Sequence, residues 1–429
     1  MNFLIILLLL TTQAQARLNI MHWTTPEGAK VLFAQAKGLP MLDIALNFDA
    51  ASSRDGAKFG LATLTNSLLG TMSKYHSQEQ IIELFESVGA QFSTYSLKDM
   101  AIVSLRTLTR QDNLQVALNT FTEVVAQPVF KHKYLNREKK QTLRSIKAIK
   151  QSPASIASLA FDKAVFAGHP YEHTKIGTKA SLANISTLDL TQHYQTYYVA
   201  KNLTIALVGD ISKTKAKQIA RQISHGLNSG KKAPSNPLVK MLKKSQNIHI
   251  EFPSKQTHLL IGQTGINRAH PDYYSLYLGN HILGGSGLTS ILSDDIREQK
   301  GLVYSVVSYF AKMKSNGFFL VKLQTKNDQA DQAQKIAIKA LKSFLNHPIS
   351  SQHLQDGKDN IIGGFALETA SNASILTYLS IIGFYDLPFD YLSRFTDKIR
   401  NISAKDIQMA FSRLIDMDKL IILSVGQAQ

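Results

Sequence analysis

The sequence predicts an α+β protein made of two duplicated, homologous domains, each a mostly antiparallel sheet packed with helices. The first observation behind this prediction is an internal repeat. Asn184–Asp210 aligns with Asn401–Gln427 at a constant offset of 217 residues, and eight of the 27 aligned pairs are identical. Both copies predict a serine-capped helix followed by a strand. The second observation is that strands and helices are grouped rather than strictly alternating, which is typical of antiparallel sheets.

Apolar periodicity predicts the elements of the first half. Alternating apolar residues indicate strands, and a stripe that repeats every three to four residues indicates helices. The predicted elements are a strand at Met41–Phe48, a helix at Gly60–Leu69, a helix at Gln78–Val88 ending at Gly89, a strand pair in Phe92–Leu108, and long helices from Asp112 to about Phe166.

The second half follows the same plan after a segment rich in breakers. We predict strands in Ile248–Thr264, a helix at Tyr273–Leu283, a hairpin of Leu302–Phe310 with Gly317–Gln324, and helices from Asp328. Glycine, proline, asparagine and serine accumulate between the halves, which indicates a linker. The predicted boundaries are an N-terminal domain at 17–225, a linker at 226–245 and a C-terminal domain at 246–429.

The first residues predict a targeting segment rather than a part of the fold. Phe3–Leu10 is uniformly apolar, and Ala14-Gln15-Ala16 precedes Arg17. A run this short does not span a bilayer, and two alanines in this spacing are typical of signal-peptidase cleavage. We therefore predict residues 1–16 as a cleaved signal peptide and, in a bacterium, a periplasmic mature protein. A retained anchor is the alternative.

Composition excludes several classes of function. The 429 residues include no cysteine, which excludes a disulfide scaffold, a thiolate zinc site and a cysteine nucleophile. The 48 lysines and arginines exceed the 31 aspartates and glutamates, giving a formal charge of +17. These basic residues are scattered and form no nucleic-acid recognition motif. We therefore predict no nucleic-acid partner, and a weak attraction to anionic membrane surfaces or acidic substrates.

One literal zinc-peptidase motif is present, at His169-Pro170-Tyr171-Glu172-His173. Such a motif binds metal only on a helix, where two histidines four residues apart share one face. Gly168, Pro170 and Gly177 leave room for about one helical turn. The sequence therefore favours a loop anchored by Tyr171, while a self-sufficient metallopeptidase that uses His169 and His173 stays as an alternative.

The segment Ala50–Thr71 resembles the opening of the pitrilysin/insulinase family of inverted-motif zinc peptidases, particularly two-domain bacterial members related to mitochondrial processing peptidase. His169–Tyr171, Asn202–Asp210 and Gly284–Tyr304 resemble later stretches of the same family in the same order. The resemblance implies duplicated domains that form half of a clamshell. It also implies a zinc motif inside the helix that begins at Gly60-Leu61-Ala62.

The zinc residues are missing at the positions that the resemblance assigns to them. Thr63 and Ser67 stand at the two histidine positions, and Asn66 stands at the glutamate. Hydroxyl groups are poor zinc ligands, and an amide does not exchange a proton with water as a carboxylate does. Near the third ligand position, Gln141–Lys147 contains no carboxylate, and Glu138 is the nearest acid. We therefore predict that this chain binds no metal and no other cofactor.

The segment of the second half that binds substrate in the family is intact. Arg297 and Tyr304 match an arginine and a tyrosine, seven residues apart, that hold the substrate backbone in the resembling family. Both side chains are donors suited to a peptide carbonyl. A solvated helix face for Arg297 is the alternative. The preceding glycines Gly284, Gly285 and Gly287 are candidates for a loop that approaches the substrate closely, or for a plain turn.

These features predict a non-catalytic, zinc-free subunit of a periplasmic zinc peptidase heterodimer. Its partner would be a homologous subunit that carries the zinc, and its ligand would be an extended peptide or an unfolded protein. The resemblance implies that the partner supplies the metal while Arg297 and Tyr304 position the substrate. The alternative from a different class is a stand-alone peptide-binding or scaffold protein without catalysis.

Overall fold

The computed structural model of the protein describes residues 19–427, so the predicted signal peptide lies outside the described residues. The described residues form two sheets. The strands are β1 (Ile20–Thr24), β2 (Lys30–Gln35), β3 (Met41–Phe48), β4 (Gln91–Ser96), β5 (Ala101–Leu108), β6 (Leu203–Gly209), β7 (Gln246–Glu251), β8 (Gln256–Thr264), β9 (Val303–Ala311), β10 (Phe318–Lys326) and β11 (Ile421–Gly426).

Helices occupy most of the remaining chain. They are α1 (Leu61–Ser67), α2 (Gln78–Ser87), α3 (Gln111–Ala126), α4 (His132–Ile149), α5 (Pro153–Val165), α6 (Lys179–Ala183), α7 (Thr187–Tyr197), α8 (Lys213–His225), α9 (Tyr273–Asn280), α10 (Ile291–Ser293), α11 (Ala330–Asn346), α12 (Ser351–Glu368), α13 (Asn372–Phe384), α14 (Tyr391–Arg400) and α15 (Ala404–Leu414). Between residues 19 and 427, none of these helices combines the length and the apolar character needed to cross a membrane.

The two sheets share one topology, which confirms the predicted duplication and the α+β class. Their strand orders are β1-β2-β6-β3-β5-β4 and β7-β11-β8-β10-β9. In each sheet one pair is parallel, β2 with β6 and β7 with β11, and the equivalent remaining pairs are antiparallel. The first sheet differs by one strand, because β1 covers the outer side of β2.

The repeat noticed in the sequence corresponds to α7–β6 and α15–β11. Ser186 and Ser403 both form capping boxes, each with the aspartate three residues later. The predicted strand Met41–Phe48 is observed as β3. The predicted helix at Tyr273–Leu283 is interrupted, because α9 gives way to a π-helical turn at His281–Gly285.

The two halves are interlocked by an exchange of helices. Helix α5 of the first half packs on β8 and β11, whereas α13 of the second half packs on β2, β3 and β6. A glycine allows each close approach. A Cβ on Gly262 of β8 would lie 2.9 Å from Phe161 Cζ, and a Cβ on Gly383 of α13 would lie 2.4 Å from Thr204 Cγ2. Each sheet therefore completes its buried face with a helix from the other half.

The segment between the halves also packs against the protein. Residues 226–245 form no helix or strand. The Asn202 carboxamide oxygen accepts a hydrogen bond from the backbone N–H of Ala233 at 3.0 Å, and the side chain of Asn236 donates to Asp99 at 3.2 Å. Val239 is buried in an apolar cluster with residues of α5, β10 and β11. The connection is therefore a fixed strap rather than a free tether.

Candidate functional site

The helix that would carry zinc in the resembling family is α1, and the sequence just before it fixes its start. The Asp55 carboxylate accepts backbone hydrogen bonds from Gly60 at 2.8 Å and Ala62 at 2.7 Å. A carboxylate at this end also complements the helix dipole. Gly60 takes a φ of +96°, a conformation that favours glycine. This local geometry is retained although the zinc residues are not.

The two hydroxyl residues at the histidine positions form hydrogen bonds to carbonyls of the protein. Thr63 Oγ1 donates to the carbonyl of Lys175 at 2.6 Å, and Ser67 Oγ donates to the carbonyl of Leu64 at 3.1 Å. Both side chains are half-buried. Because each hydroxyl already has a backbone partner, neither is held toward a common point as metal ligands must be.

Asn66, at the position of the catalytic glutamate, is satisfied on both ends of its amide. Its nitrogen donates to the carbonyl of Tyr95 at 3.0 Å and its oxygen accepts from the hydroxyl of Tyr198 at 3.0 Å. Burial raises the pKa of Tyr198 well above its ordinary value, so that phenol stays a donor. Asn66 is 1% exposed. It therefore acts as a structural cross-link between α1, β4 and α7.

A lysine lies beside this altered site. The ammonium of Lys175 donates to the carbonyl of Ser96 at 2.7 Å and lies 4.6 Å from the ring centroid of Tyr95. The same residue holds Thr63 through its backbone carbonyl, as described above. A positive charge next to the former ligand positions disfavours a bound cation. Sequence reasoning missed Lys175, because nothing in the spacing of a loop lysine indicates where its side chain reaches.

The third ligand position lies on α4, which packs against α1. Leu143 and Ile146 of α4 pack on the apolar cluster that contains Leu61, Leu64 and Leu68. The side chains of residues 141–147 that reach this cluster are thus aliphatic, and this stretch contains no carboxylate. Among residues 19–427, no group of three or more histidine, aspartate or glutamate side chains is placed to hold a metal ion. The residues present do not fit the family's zinc.

The literal zinc motif lies in a loop, as predicted, between α5 and α6. His169 has both ring nitrogens engaged: Nε2 donates to the carbonyl of Pro237 at 2.9 Å, and Nδ1 accepts from the backbone of Tyr171 at 3.0 Å. Nε2 of His173 lies 3.1 Å from the Asp55 carboxylate. The two imidazoles share no helix face, so the pair does not form a metal site.

This loop joins the halves. Tyr171 is fully buried, and its hydroxyl donates to Asp99 at 2.6 Å and accepts from the backbone of Ser315 at 3.1 Å. Asp99 also accepts a hydrogen bond from the backbone of Lys314 at 2.8 Å. Burial raises the pKa of Tyr171 and of Asp99. The predicted tyrosine anchor is confirmed, and it ties the first half to the β9–β10 turn of the second.

The arginine–tyrosine pair of the second half is brought together at the start of β9. Arg297 lies in a π-helical turn, Asp294–Glu298, and its guanidinium carbon is 5.9 Å from the ring centroid of Tyr304. Nη1 is buried and lies 3.3 Å from Glu298 Oε1, an ion pair without a hydrogen bond. The side chain of Tyr304 is 88% exposed. The pair therefore combines a partly exposed, ion-paired guanidinium with an exposed phenol.

The three glycines do not share one role. Gly284 is buried, and a Cβ there would lie 2.5 Å from Ser308 Oγ, so this glycine makes room for β9 rather than for a ligand. Gly285 is exposed, and Gly287 has a φ of +68° with nothing near its Cβ direction. Of the predicted loop, only Gly285 and Gly287 lie where a ligand could reach them.

Each sheet ends in a strand with a single neighbour, β4 in the first sheet and β9 in the second. Within the described chain, β4 pairs only with β5, and β9 pairs only with β10. The outer backbone groups of an edge strand are available to an added chain. Edge strand β4 adjoins the altered α1 site through Tyr95, and edge strand β9 carries Tyr304. The equivalent edge strands β4 and β9 therefore lie beside different side chains, the substituted zinc positions in the first half and the Arg297–Tyr304 pair in the second.

Comparison with known proteins identifies the family. Residues 30–179 match the family described as Insulinase (Peptidase family M16), and residues 184–361 match the Peptidase M16 inactive domain. The crystal structure of a peptidase M16 inactive domain from Pseudomonas fluorescens has a TM-score of 0.93 and 38% sequence identity, covering 96% of this chain and 98% of that one. The chain belongs to the insulinase family of M16 peptidases.

Some relatives within this family are named zinc proteases, and another is named a non-peptidase homolog. A non-peptidase homolog, YmxG of Helicobacter pylori, is 25% identical over 385 residues, 88% of this chain and 87% of that protein. An uncharacterized zinc protease, YmxG of Bacillus subtilis, is 26% identical over 309 residues, 71% and 73% of the two chains. A protease structure from Helicobacter pylori, 16% identical with a TM-score of 0.87, shares the fold. With its substituted zinc positions, the chain is an inactive insulinase-family homologue.

Proposed function

We propose that this protein is the non-catalytic subunit of a heterodimeric zinc peptidase and that it binds and positions extended peptides for a homologous partner. In this proposal the partner carries the zinc, and the two subunits face each other as halves of a clamshell. The peptide lies along edge strand β9 and passes Arg297 and Tyr304. This is β-strand addition, in which main-chain hydrogen bonds supply the affinity.

The observation that carries the proposal is the state of the donors at the start of β9. Arg297 is 30% exposed and paired only with Glu298 at 3.3 Å, without a hydrogen bond from Nη1, and Tyr304 is 88% exposed next to it. A peptide carbonyl beside β9 would accept from this guanidinium. The substituted groups of α1 differ, because their polar atoms are bonded inside the protein.

Each residue of the pair would have a definite task. The guanidinium of Arg297 would donate to the substrate carbonyl, and the hydroxyl of Tyr304 would donate to the same oxygen or to its neighbour. Donors fixed before the reaction stabilise the charge that develops on that oxygen when the partner's site attacks it. The closed space between two subunits would raise the effective concentration of the peptide at that site.

We also propose that the complex works in the periplasm, on the basis of the predicted signal peptide. The formal charge of +17 favours a loose attraction of the chain to anionic membrane surfaces. Export can be checked by fractionating cells that express the full chain with an epitope at its end. Recovery of the processed chain in the periplasmic fraction is expected, whereas unprocessed cytoplasmic chain would contradict this part of the proposal.

The decisive experiment mixes the purified chain with a homologous subunit from the same genome that carries the intact zinc motif. We expect the pair to copurify and cleave unfolded peptides, while either chain alone is inactive. Arg297→Ala and Tyr304→Phe should each lower kcat/KM of the pair by about a hundredfold, the scale of losing one transition-state donor. The matched control is Arg394→Ala on α14, whose side chain is 67% exposed.

Two results would refute this division of labour. The first is a partner that cleaves peptides equally well without the chain. The second is full activity of the pair with either of the two variants. In both cases the arginine and tyrosine would have no part in handling the substrate.

A stand-alone peptide-binding protein remains the second candidate. The full internal bonding of Asn66 favours it, because both ends of this amide are satisfied by residues of the chain itself. Analytical ultracentrifugation with and without the zinc-bearing homologue separates the two candidates. A chain that stays monomeric in that mixture and still binds unfolded peptides would support the second one.

A further inference from the structure

A small cavity with both apolar and polar lining residues lies beside β9, toward the end of the strand that is remote from Tyr304. Its volume is about 110 Å³, room for three or four water molecules. The polar side chains that line it are Tyr273, Tyr277, Asn280, Tyr309 and Lys312. No acidic residue is among the residues that line the cavity, within the part of the chain described.

Lys312 lines this cavity, and a second cation, Arg268, lies near the same tyrosine ring. The Lys312 ammonium lies 4.8 Å from the ring centroid of Tyr273 and 5.3 Å from that of Tyr277. The guanidinium carbon of Arg268 lies 5.7 Å from the Tyr273 ring. Neither cation belongs to an ion pair among the described residues. Elsewhere in the chain a half-buried lysine such as Lys98 pairs with a carboxylate, Asp162, at 3.0 Å.

The hydrogen-bond donors around the cavity are incompletely used. Arg268 Nε is buried and makes no hydrogen bond. The hydroxyl of Tyr391 donates to that of Tyr273 at 3.0 Å, which leaves the proton of Tyr273 available to another acceptor. Burial opposes ionisation of Tyr273, yet the charges of Lys312 and Arg268 lower its pKa below the ordinary value. Burial lowers the pKa of Lys312, and an anion beside it would offset that cost.

We propose that this cavity is a subsite for a carboxylate side chain, aspartate or glutamate, of the peptide that runs along β9. The inference rests on the proposed function and adds a substrate class to it. A carboxylate would accept from Lys312 and from the free proton of Tyr273, bonds that are stronger than neutral ones. Tyr304 and Tyr309 are five residues apart on β9, which is about 17 Å of strand. The acidic residue therefore lies about five residues from the one held at Tyr304.

The test uses two synthetic peptides of alanine, serine and threonine, about ten residues long to span this distance, which differ only in one central glutamate or glutamine. Binding to the full chain is measured by fluorescence anisotropy. We expect the glutamate peptide to bind about tenfold more tightly, the scale of one charge-assisted hydrogen bond. Lys312→Met should abolish this difference, because methionine retains the volume but not the charge.

Lys326→Met is the matched control. It removes the same charge from an exposed position at the end of β10 and should keep the tenfold preference. Lys312→Met should remain folded, because replacing a buried charge with an apolar group of similar size is often neutral. Its circular dichroism and melting curve establish this before binding is measured.

The outcomes separate this inference from the proposed function. Equal binding of both peptides to the unaltered chain overturns the carboxylate subsite. A preference for the glutamate peptide that survives in Lys312→Met also overturns it. Both results leave the proposed peptide-binding role intact. If neither peptide binds, the proposed function fails, and glutarate then tests the cavity alone. Thermal stabilisation by glutarate that is lost in Lys312→Met supports the carboxylate site, and no stabilisation overturns it.

Discussion

The two halves of this protein have the same order of five strands but carry different side chains beside their edge strands β4 and β9. In the first half, the groups at the zinc positions are bonded within the protein, as Asn66 is to Tyr198 at 3.0 Å. In the second half, Arg297 Nη1 makes no hydrogen bond and Tyr304 points into solvent. Buried polar groups are almost always paired, so an unpaired one requires an explanation. The comparison teaches that the substituted positions of the first half are bonded within the protein, whereas the second half exposes a phenol beside an ion-paired guanidinium.

The halves also differ at the opposite edges of their sheets. Strand β1 covers β2 in the first sheet, whereas β7, the equivalent of β2, ends the second sheet. The exchange of helices is nearly symmetric by contrast, since α5 packs on β8 and β11 while α13 packs on β2, β3 and β6. The two halves are thus alike in their buried strands and packed helices, and they differ at the sheet edges and in their exposed side chains.

The largest expected effect follows from this exchange. Expressed separately, residues 17–225 and 246–429 should each fail to fold, because each sheet loses the helix that covers it. Circular dichroism and denaturant titration should show no cooperative unfolding of either piece, and coexpression should restore a soluble complex. A cooperative transition in one isolated half would show that its sheet does not need the exchanged helix.

A single side chain tests the same contact at a smaller scale. Phe161 of α5 is 1% exposed and meets Phe318 of β10 with ring centroids 5.3 Å apart. Phe161→Ala should lower the free energy of unfolding by about 3–5 kcal/mol, the cost of a large cavity. Leu188→Ala, at a position 63% exposed, should change it by less than about 0.5 kcal/mol. Similar losses for both variants in urea denaturation would contradict the proposed packing role.

Two helical glycines should respond with opposite signs. Gly383→Ala places a Cβ 2.4 Å from Thr204 Cγ2, so we expect a loss of about 1–3 kcal/mol from overpacking. Gly363→Ala meets nothing within 4 Å on α12 and should gain about 0.5–1 kcal/mol through helix propensity. Thermal unfolding followed by circular dichroism measures both changes. If both variants gain stability, α13 does not need its close approach to the first sheet.

The smallest expected effect is on the zinc content of a variant with two restored histidines. Thr63→His with Ser67→His restores two ligands of the family motif on α1, but residues 141–147 still provide no carboxylate. Protein zinc sites use at least three protein ligands, so we expect no zinc to remain after dialysis. Elemental analysis of the purified variant, with the unaltered chain as the control, gives the answer. One zinc ion per chain would show that the site lacks nothing but these two histidines.

Much of the fold could be predicted because it depends on local patterns. The capping boxes at Ser186 and Ser403 revealed the duplication, since each needs only a serine and an aspartate three residues later. The strand β3 and the loop at His169–His173 follow from apolar alternation and from breakers near the motif. The substituted zinc positions were also evident, because a resemblance aligns residues one by one.

What the sequence determined by itself is the family, the repeat and the loss of the ligands, since these are properties of residue identity and spacing. The tertiary structure decided which half covers which sheet, that Tyr171 joins the halves, and that Lys175 reaches the carbonyl of Ser96. It also placed Arg268 and Lys312 around one tyrosine ring, although 43 residues separate them in the chain. Such contacts depend on how distant segments meet, and no local pattern encodes the direction of a long side chain.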